Sequence, residues 1–472
     1  MNSIIRINQV RIQNIKNVRN GEFTGNQKYD NFAKQLLTKP SSDDNMLNRF
    51  FEKSLELKLD EYINNENQNA DILGFYGQNG SGKTSVFESF RILGCLLGRE
   101  TALPSKTENL ILEGQSSCSL TFEFAAVAAY KAYFIKYEVE LVYGAEDNME
   151  VFREDITYKE NVPNVRYRNL LNYRDKDLYR GKKNIFSSKN QKAIASKVIA
   201  VHSKNSVVFH KIIQNHLNQV LNSEEQMLLK LIRETFAENL VVIPNIQHGE
   251  FSSKYFMPFS KRIAEYNFNI LHSFTVPLDI LEELKKSVEL KNTVFSCLIP
   301  GAEVIVNELH SESLDDGEPG KRIELLIKKE GRSLPLRSES AGTLKIFAIT
   351  SALIAFNINP NTCVVIDELD SGVFEFLLGE ILSIFSETGK GQLIFTSHNL
   401  RALEVLPVQN IWFTTANQEN RYIQMKYTSV TNNIRRKYYE AIQLGGMSES
   451  VYTETNKSTI KKAFRKVGRL FE

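Results

Sequence analysis

The stretch that most restricts the fold of this chain is GQNGSGKT, residues 77–84. Glycines reach backbone angles that other residues avoid, so this loop can curl its N–H groups inward. The apolar run ADILGFY precedes it and reads as a buried strand. The segment TSVFESFRILGCLLG follows, with Val86, Phe87, Phe90, Leu93 and Leu97 at helical spacing. Strand, glycine loop and helix in that order make an anion cradle from inward amides, the positive end of a helix and one lysine. The pattern G-x-x-x-x-G-K-[ST] is that of a phosphate-binding loop. Gly77, Gln78, Asn79, Gly80, Ser81 and Gly82 would wrap the phosphates, and Lys83 would place a point charge on the β and γ groups. Thr84 is the expected hydroxyl ligand of Mg²⁺, and Ser85 the expected contact to the α-phosphate. The competing reading is a flexible Gly/Ser turn before a helix.

Such a cradle needs a metal holder and a way to activate water. The segment NTCVVIDELDSGVFEFL, residues 361–377, offers both. Val364, Val365 and Ile366 form a β-branched apolar run, as expected of a central parallel strand. Asp367 then emerges at the carboxyl end, where open α/β sheets bind ligands. It is expected to hold the hydrated metal, and Glu368 to accept a proton from the attacking water. A second apolar strand, GQLIFTSHNL (391–400), ends in His398 after an intervening helical segment. That β-α-β unit would set the two strands side by side, with His398 near the γ-phosphate or the water. Finally, Ser340, Gly342 and Thr343 in RSESAGTLKIFAITSALIAF (337–356) lie where a loop meets a long apolar helix. This makes a second anion site, or else a plain N-cap formed by Ser340 or Thr343.

In this order and spacing, the four pieces resemble ABC-type ATPase heads of the SMC and OLD-nuclease class. The counterparts are a Walker A loop (77–84), a signature loop (340–343), a Walker B strand (364–368) and a switch histidine, His398. The likeness is greatest to the stand-alone bacterial AAA-15/AAA-21 type, with further local matches at RIQNIKNVRNGEF (11–23) and IRRKYYEAIQLGG (434–446). Such proteins occur in abortive-infection and other phage-defence systems, among them the AbiL type and the ATPase components of Septu and PARIS. The resemblance implies ATP and Mg²⁺ as cofactors, and a homodimer or higher even oligomer in which Ser340, Gly342 and Thr343 act on the nucleotide of a second copy. It also implies a separate effector, a nuclease or a toxin. Two departures stand out: SAGT replaces the transporter-like S-G-G-Q, and LDSGVFEF lacks a histidine often found after Walker B in relatives. Gln115 is the candidate for the contact to the metal-bound water.

The expected fold class is α/β: a P-loop head with a mixed sheet, helices on both faces, an antiparallel β subdomain and a helical insertion. Residues 1–150 would form the first part of the head, interrupted by a polar insertion at about 26–70. Residues 151–299 are expected to be mainly helical, 300–450 to complete the head, and 451–472 to form a basic amphipathic helix. The antiparallel strands are read from alternation in SSCSLTFEF and KAYFIKYEVELVYG. No sustained heptads support a long coiled coil. A net charge of +2 confines any nucleic-acid site to a local patch. The candidate is RYRNLLNYRDKDLYRGKKNIFSSKNQK (166–192), in which Tyr167, Tyr173, Tyr179 and Phe186 are either base-stacking faces or packed side chains. The four cysteines are scattered, with no CxxC pair, which argues against zinc and disulfide scaffolds. No signal-peptide pattern and no uninterrupted apolar span occur, so a cytoplasmic protein without membrane segments is expected. No second catalytic centre is legible. An SMC-like DNA-repair ATPase and a nucleotide-bound scaffold are the alternatives to a defence-system ATPase.

Overall fold

The computed structural model describes residues 3–25, 70–99, 103–129, 131–144, 147–162, 164–187, 191–203, 205–245, 268–314, 317–425, 448–452 and 457–468, together with 263, 435, 436, 438 and 440. Strands are numbered along the chain. The hairpin of β1 (Ile4–Ile15) and β2 (Val18–Thr24) joins β4 (Ser117–Ala128) through β1. Antiparallel pairing continues through β5 (Lys131–Tyr143), β6 (Met149–Glu160), β7 (Arg168–Arg174), β8 (Asp177–Arg180) and β9 (Lys183–Asn184). Side chains alternate across a strand, so Cys118, Leu120, Phe122 and Phe124 of β4 are buried while Ser119, Thr121 and Glu123 between them are partly exposed.

The sheet carrying the glycine loop contains β3 (Asp71–Tyr76), β10 (Leu240–Ile243), β15 (Cys363–Ile366), β16 (Gln392–Ser397), β17 (Ile411–Thr414) and β18 (Tyr422–Ile423). Their order is β10-β15-β16-β3-β17-β18; all neighbours are parallel except β17 and β18. Leu73, Phe75, Val365 and Ile394 face a core shared with the antiparallel sheet and helix α1 (Lys83–Leu96). Ile72, Val364, Ile366, Leu393 and Phe395 face a second core, built with α5 (Leu278–Leu298), α6 (Ala341–Ile358) and α7 (Glu375–Thr388). Both faces are thus covered, which is why these strands read as unbroken apolar runs. Ile366 pairs with Phe395 and Ser397 with Tyr76, so the carboxyl ends of β15, β16 and β3 lie in one row. A smaller sheet has β13 (Pro319–Lys329) between β11 (Phe274–Pro277) and β12 (Ala302–Ser313), with β14 (Arg332–Pro335) returning on β13 toward α6.

The stretch 151–299 is richer in strand than the mainly helical unit expected of it, although helices make up most of its described elements. It opens with β6 to β9, and only then come α2 (Gln191–His202), α3 (Lys211–Val220) and α4 (Ser223–Lys230). It also sends β10 into the central sheet beside β15. LVVI is a four-residue apolar run abutting a helix, and periodicity cannot separate such a strand from helix continuation. Within the basic segment the aromatic rings are engaged by the fold. The Tyr167 hydroxyl donates to Glu123 beneath the ammonium groups of Lys136 and Lys159, at 5.1 and 4.7 Å from the ring centre. Tyr173 donates to the Ala200 carbonyl at 3.2 Å, Arg174 covers Tyr179, and Phe186 is buried. These contacts match the packed-side-chain reading. Helix α6 is long and apolar enough to cross a membrane, but 67% of it is buried in this fold. Within the stretch 451–472, helix α8 spans Lys457–Gly468. The insertion at about 26–70 lies outside the described residues apart from Ala70, as does most of 434–446.

Candidate active site

The glycine loop leaves β3 and enters α1. Gly77 has φ +156°, and a Cβ there would meet Thr414 Oγ1 at 1.7 Å, so the first glycine is required by the neighbouring strand β17. Gly82, the N-cap of α1, has φ +100°, a left-handed conformation that admits glycine without strain. Ser81 closes the loop on itself: its hydroxyl donates to the Gln78 carbonyl at 2.5 Å and meets Thr414 Oγ1. Asn79 and Gly80 are exposed at the tip. The ammonium of Lys83 is turned into the loop and donates to the carbonyls of Gly77 at 2.8 Å and Gln78 at 3.0 Å. Burial lowers its pKa to about 8, against the opposing pull of Asp367, Glu368 and Asp370.

A cleft of about 410 Å³ lies against this loop. Asn79, Gly80, Gly82, Lys83, Thr84 and Ser85 line it from the loop side, and Asp367, Glu368, Thr396 and His398 from the ends of β15 and β16. The segments expected to converge therefore do so, although 321 residues separate Gly77 from His398. Asp367 is buried, and burial raises its pKa; the hydroxyl of Thr396, donating to Oδ1 at 2.6 Å, works in the opposite direction. The same Thr396 oxygen accepts the Glu368 N–H at 2.7 Å. Glu368 has φ +48°, a left-handed conformation costing a non-glycine residue about 1–2 kcal/mol. Such strain persists only where surroundings enforce it. Here Thr396 holds the N–H, the Lys345 ammonium donates to the carbonyl, and Asn245 Nδ2 donates to carboxylate Oε2. His398 is held through its backbone N–H, which donates to Asp370 Oδ2 at 3.0 Å. Burial first, then the Lys83 charge, lower its pKa below the ordinary imidazole value, which favours the uncharged ring.

Ser340, Gly342 and Thr343 do not line this cleft. Ser340 is exposed and caps α6, its hydroxyl accepting the Thr343 N–H at 3.2 Å. The N-cap is thus present, with Ser340 exposed and Gly342 buried in the first turn of α6. Gly342 packs against the turn after Glu368, where a Cβ would come within 1.9 Å of the Gly372 carbonyl oxygen. Gln115 is not among the lining residues either; it sits exposed in a turn, its N–H donating to Leu112 O at 3.0 Å. Ser85 lines the cleft but is buried, with its hydroxyl directed to the Ile15 carbonyl at 3.4 Å.

Sequence reasoning missed Lys16, Asn17, Thr396, Lys345 and Asn245. Lys16 and Asn17, in the β1–β2 turn, line the cleft; Lys16 pairs with Glu88 at 3.1 Å and Asn17 donates to the Gly80 carbonyl. The match of 11–23 to the resembled family pointed at this turn without singling out its residues. Thr396, one residue before Ser397-His398, was legible by its position at the end of β16. Asn245 follows the strand that was not recognised.

The donor set suits Mg²⁺ better than a softer metal. Among the described residues no cluster of three or more His, Cys, Asp or Glu exists to cage an ion. Mg²⁺ takes hard oxygen ligands, one or two carboxylates at most, with substrate phosphates and water completing its shell. Asp367 and the Thr84 hydroxyl supply that number and kind of ligand.

Residues 255–404 match the AAA_21 family model, described as "AAA domain, putative AbiEii toxin, Type IV TA system". The matched third of the chain contains the outward loop, Asp367, Glu368 and His398, while the glycine loop lies outside it. No curated protein sequence matches the chain. Similar solved structures include the SMC head domain from Thermotoga maritima, at 14% identity over 89% of this chain and 100% of that one, with a TM-score of 0.37. An Smc head with an extended coiled coil bound to the C-terminal domain of ScpA, derived from Pyrococcus furiosus, aligns at 11% identity over 93% of this chain and all of its own, with a TM-score of 0.36. The SmcHead bound to the C-winged helix domain of ScpA gives 11% identity, 89% and 97% coverage, and a TM-score of 0.38.

Proposed function

We propose, starting from an AAA-type ATPase domain of the ABC/SMC-like kind, that this chain binds and hydrolyses ATP and that its hydrolytic site is completed by a second copy. The observation that carries the reading is the single cleft shared by Lys83, Asp367, Glu368 and His398. The loop amides and Lys83 would bind the β- and γ-phosphates. Bound Mg²⁺, held by Thr84 and Asp367, would supply neutralising charge for the phosphate oxygens. Glu368 accepts a proton from the water that attacks the γ-phosphorus, as the bond to the bridging oxygen breaks and ADP leaves. The neutral His398 ring can donate one hydrogen bond to the γ-phosphate or orient that water.

The outward-facing Ser340–Thr343 loop supports the second half of the proposal. It is a helix N-terminus that does not line its own cleft, and we assign it to the nucleotide of a neighbouring copy. ATP would then join the two heads and hydrolysis release them. In the cell we place this switch as the cytoplasmic sensor or regulator of an anti-phage system acting through a separate effector, a reading that rests on the resemblance drawn from the sequence motifs. Sedimentation of the Glu368→Gln variant tests the switch: a dimer is expected with ATP and Mg²⁺, and a monomer without. A variant that stays monomeric in both conditions refutes the shared site. Lys83→Ala should abolish turnover, and persistent turnover would move hydrolysis elsewhere.

A further inference from the structure

We infer that Lys345 is a positioning residue that ties the outward Ser340–Thr343 loop to the Glu368 turn, so that a phosphate seated on the loop of one copy is felt at that copy's own hydrolytic carboxylate. The inference rests on the ATPase reading and adds a route by which the two anion sites of one chain communicate.

Three observations carry it. Lys345 lies on α6, one turn beyond the loop, and is 3% exposed. Its ammonium donates to the main-chain carbonyl of Glu368, which also accepts the Ser371 N–H at 2.9 Å. Both lone pairs of that carbonyl are thus used to hold the turn from Glu368 to Ser371 in its left-handed start. Helix α6 touches the same turn a second time, where Gly342 lies against Gly372 without space for a Cβ. A rigid helix fixed to a turn at two points moves the turn when its own N-terminus is pulled.

The electrostatics agree with this placement. Lys345 and Lys83 share the same three carboxylates, Asp367, Glu368 and Asp370, and burial lowers each lysine's pKa to about 8. Lys83 approaches the carboxylates from the cleft, and Lys345 from the core side of the turn. If packing alone decided this position an apolar side chain would serve at lower cost, since burying an ammonium is unfavourable unless oxygen partners compensate it.

The test uses the full chain with Lys345→Met, which keeps the unbranched stem one atom shorter and removes the charge, and Lys345→Arg, which restores a donor. The expected result for Lys345→Met is a kcat at least tenfold lower with KM for ATP within threefold, and for Lys345→Arg a recovery of at least half the lost kcat. Equal kcat in Lys345→Met and wild type overturns the inference, as does a loss carried entirely by KM. A second measurement does not need turnover: amide hydrogen exchange at Leu369 and Ser371 should speed up about tenfold in Lys345→Met, while Val364 to Ile366 stay protected. Unchanged exchange at the turn overturns the inference. If the wild-type chain shows no turnover at all, the ATPase reading fails and the exchange result still judges the link.

Discussion

Replacing Thr396 by valine isolates one hydrogen-bonding oxygen at the centre of the site. The two side chains have nearly the same shape, so the packing of β16 should be kept, while both bonds of the hydroxyl are lost. One is its donation to Asp367 Oδ1 at 2.6 Å, the other its acceptance of the Glu368 N–H at 2.7 Å. A hydrogen bond to a charged group contributes about 1.5–3 kcal/mol. The bond favours the ionised carboxylate, so its loss raises the Asp367 pKa further in the direction burial already pushes it. At 1.36 kcal/mol per pH unit, the acid limb of the turnover profile should move upward by about one to two pH units. The orphaned Glu368 N–H should also lower the plateau, because the left-handed turn loses one of its holds. Phosphate release measured from about pH 5 to pH 9 at saturating ATP and Mg²⁺ reads both effects, and Thr396→Ser should leave both unchanged. Coincident acid limbs for wild type and a folded Thr396→Val variant would refute the role given to this hydroxyl.

Two further outcomes follow from the geometry. Lys83 is charged below about pH 8 and neutral above it in the free protein, so ATP affinity should fall as pH rises past 8, by up to about tenfold per pH unit, in a fluorescent-nucleotide titration. Gly342→Ala forces a Cβ into the Gly372 carbonyl, backbone against backbone, at a cost of about 1–3 kcal/mol; thermal unfolding should begin earlier and turnover should fall, while nucleotide binding at the glycine loop persists.

The parts of the site that announced themselves in the sequence are those whose chemistry demands particular residues at fixed spacing. Gly77, Gly82 and Lys83 belong to a pattern because backbone sterics leave few substitutes. Asp367 and His398 were legible because each follows an apolar strand that must be buried on both faces. What escaped notice is held by tertiary contact. Asn245 follows a four-residue strand whose partner, β15, is 123 residues away, and no local signal marks it. Lys345 looks like a stray charge in an apolar helix until Glu368 is placed beside it. Gln115 does not line the cleft; a glutamine in a polar turn has many possible causes, and proximity to the cleft cannot be read from one chain. The tyrosines of 166–192 show the converse: a basic, aromatic segment resembled a base-stacking surface, yet Glu123, Lys136 and Lys159 already occupy Tyr167.

The order of the central sheet also sets a schedule for biosynthesis. Strand β16 lies between β3 and β15, so the glycine loop and the acidic pair have no common surface until the polypeptide has been made through Ser397. Translation at roughly 5–20 residues per second puts tens of seconds between emergence of Tyr76 and emergence of β16. For most of this interval the nascent chain carries the glycine loop without the acidic pair, and for the rest it lacks the strand between them, so a ribosome-bound fragment ending before Gln392 is expected neither to retain nucleotide nor to pair with a finished copy.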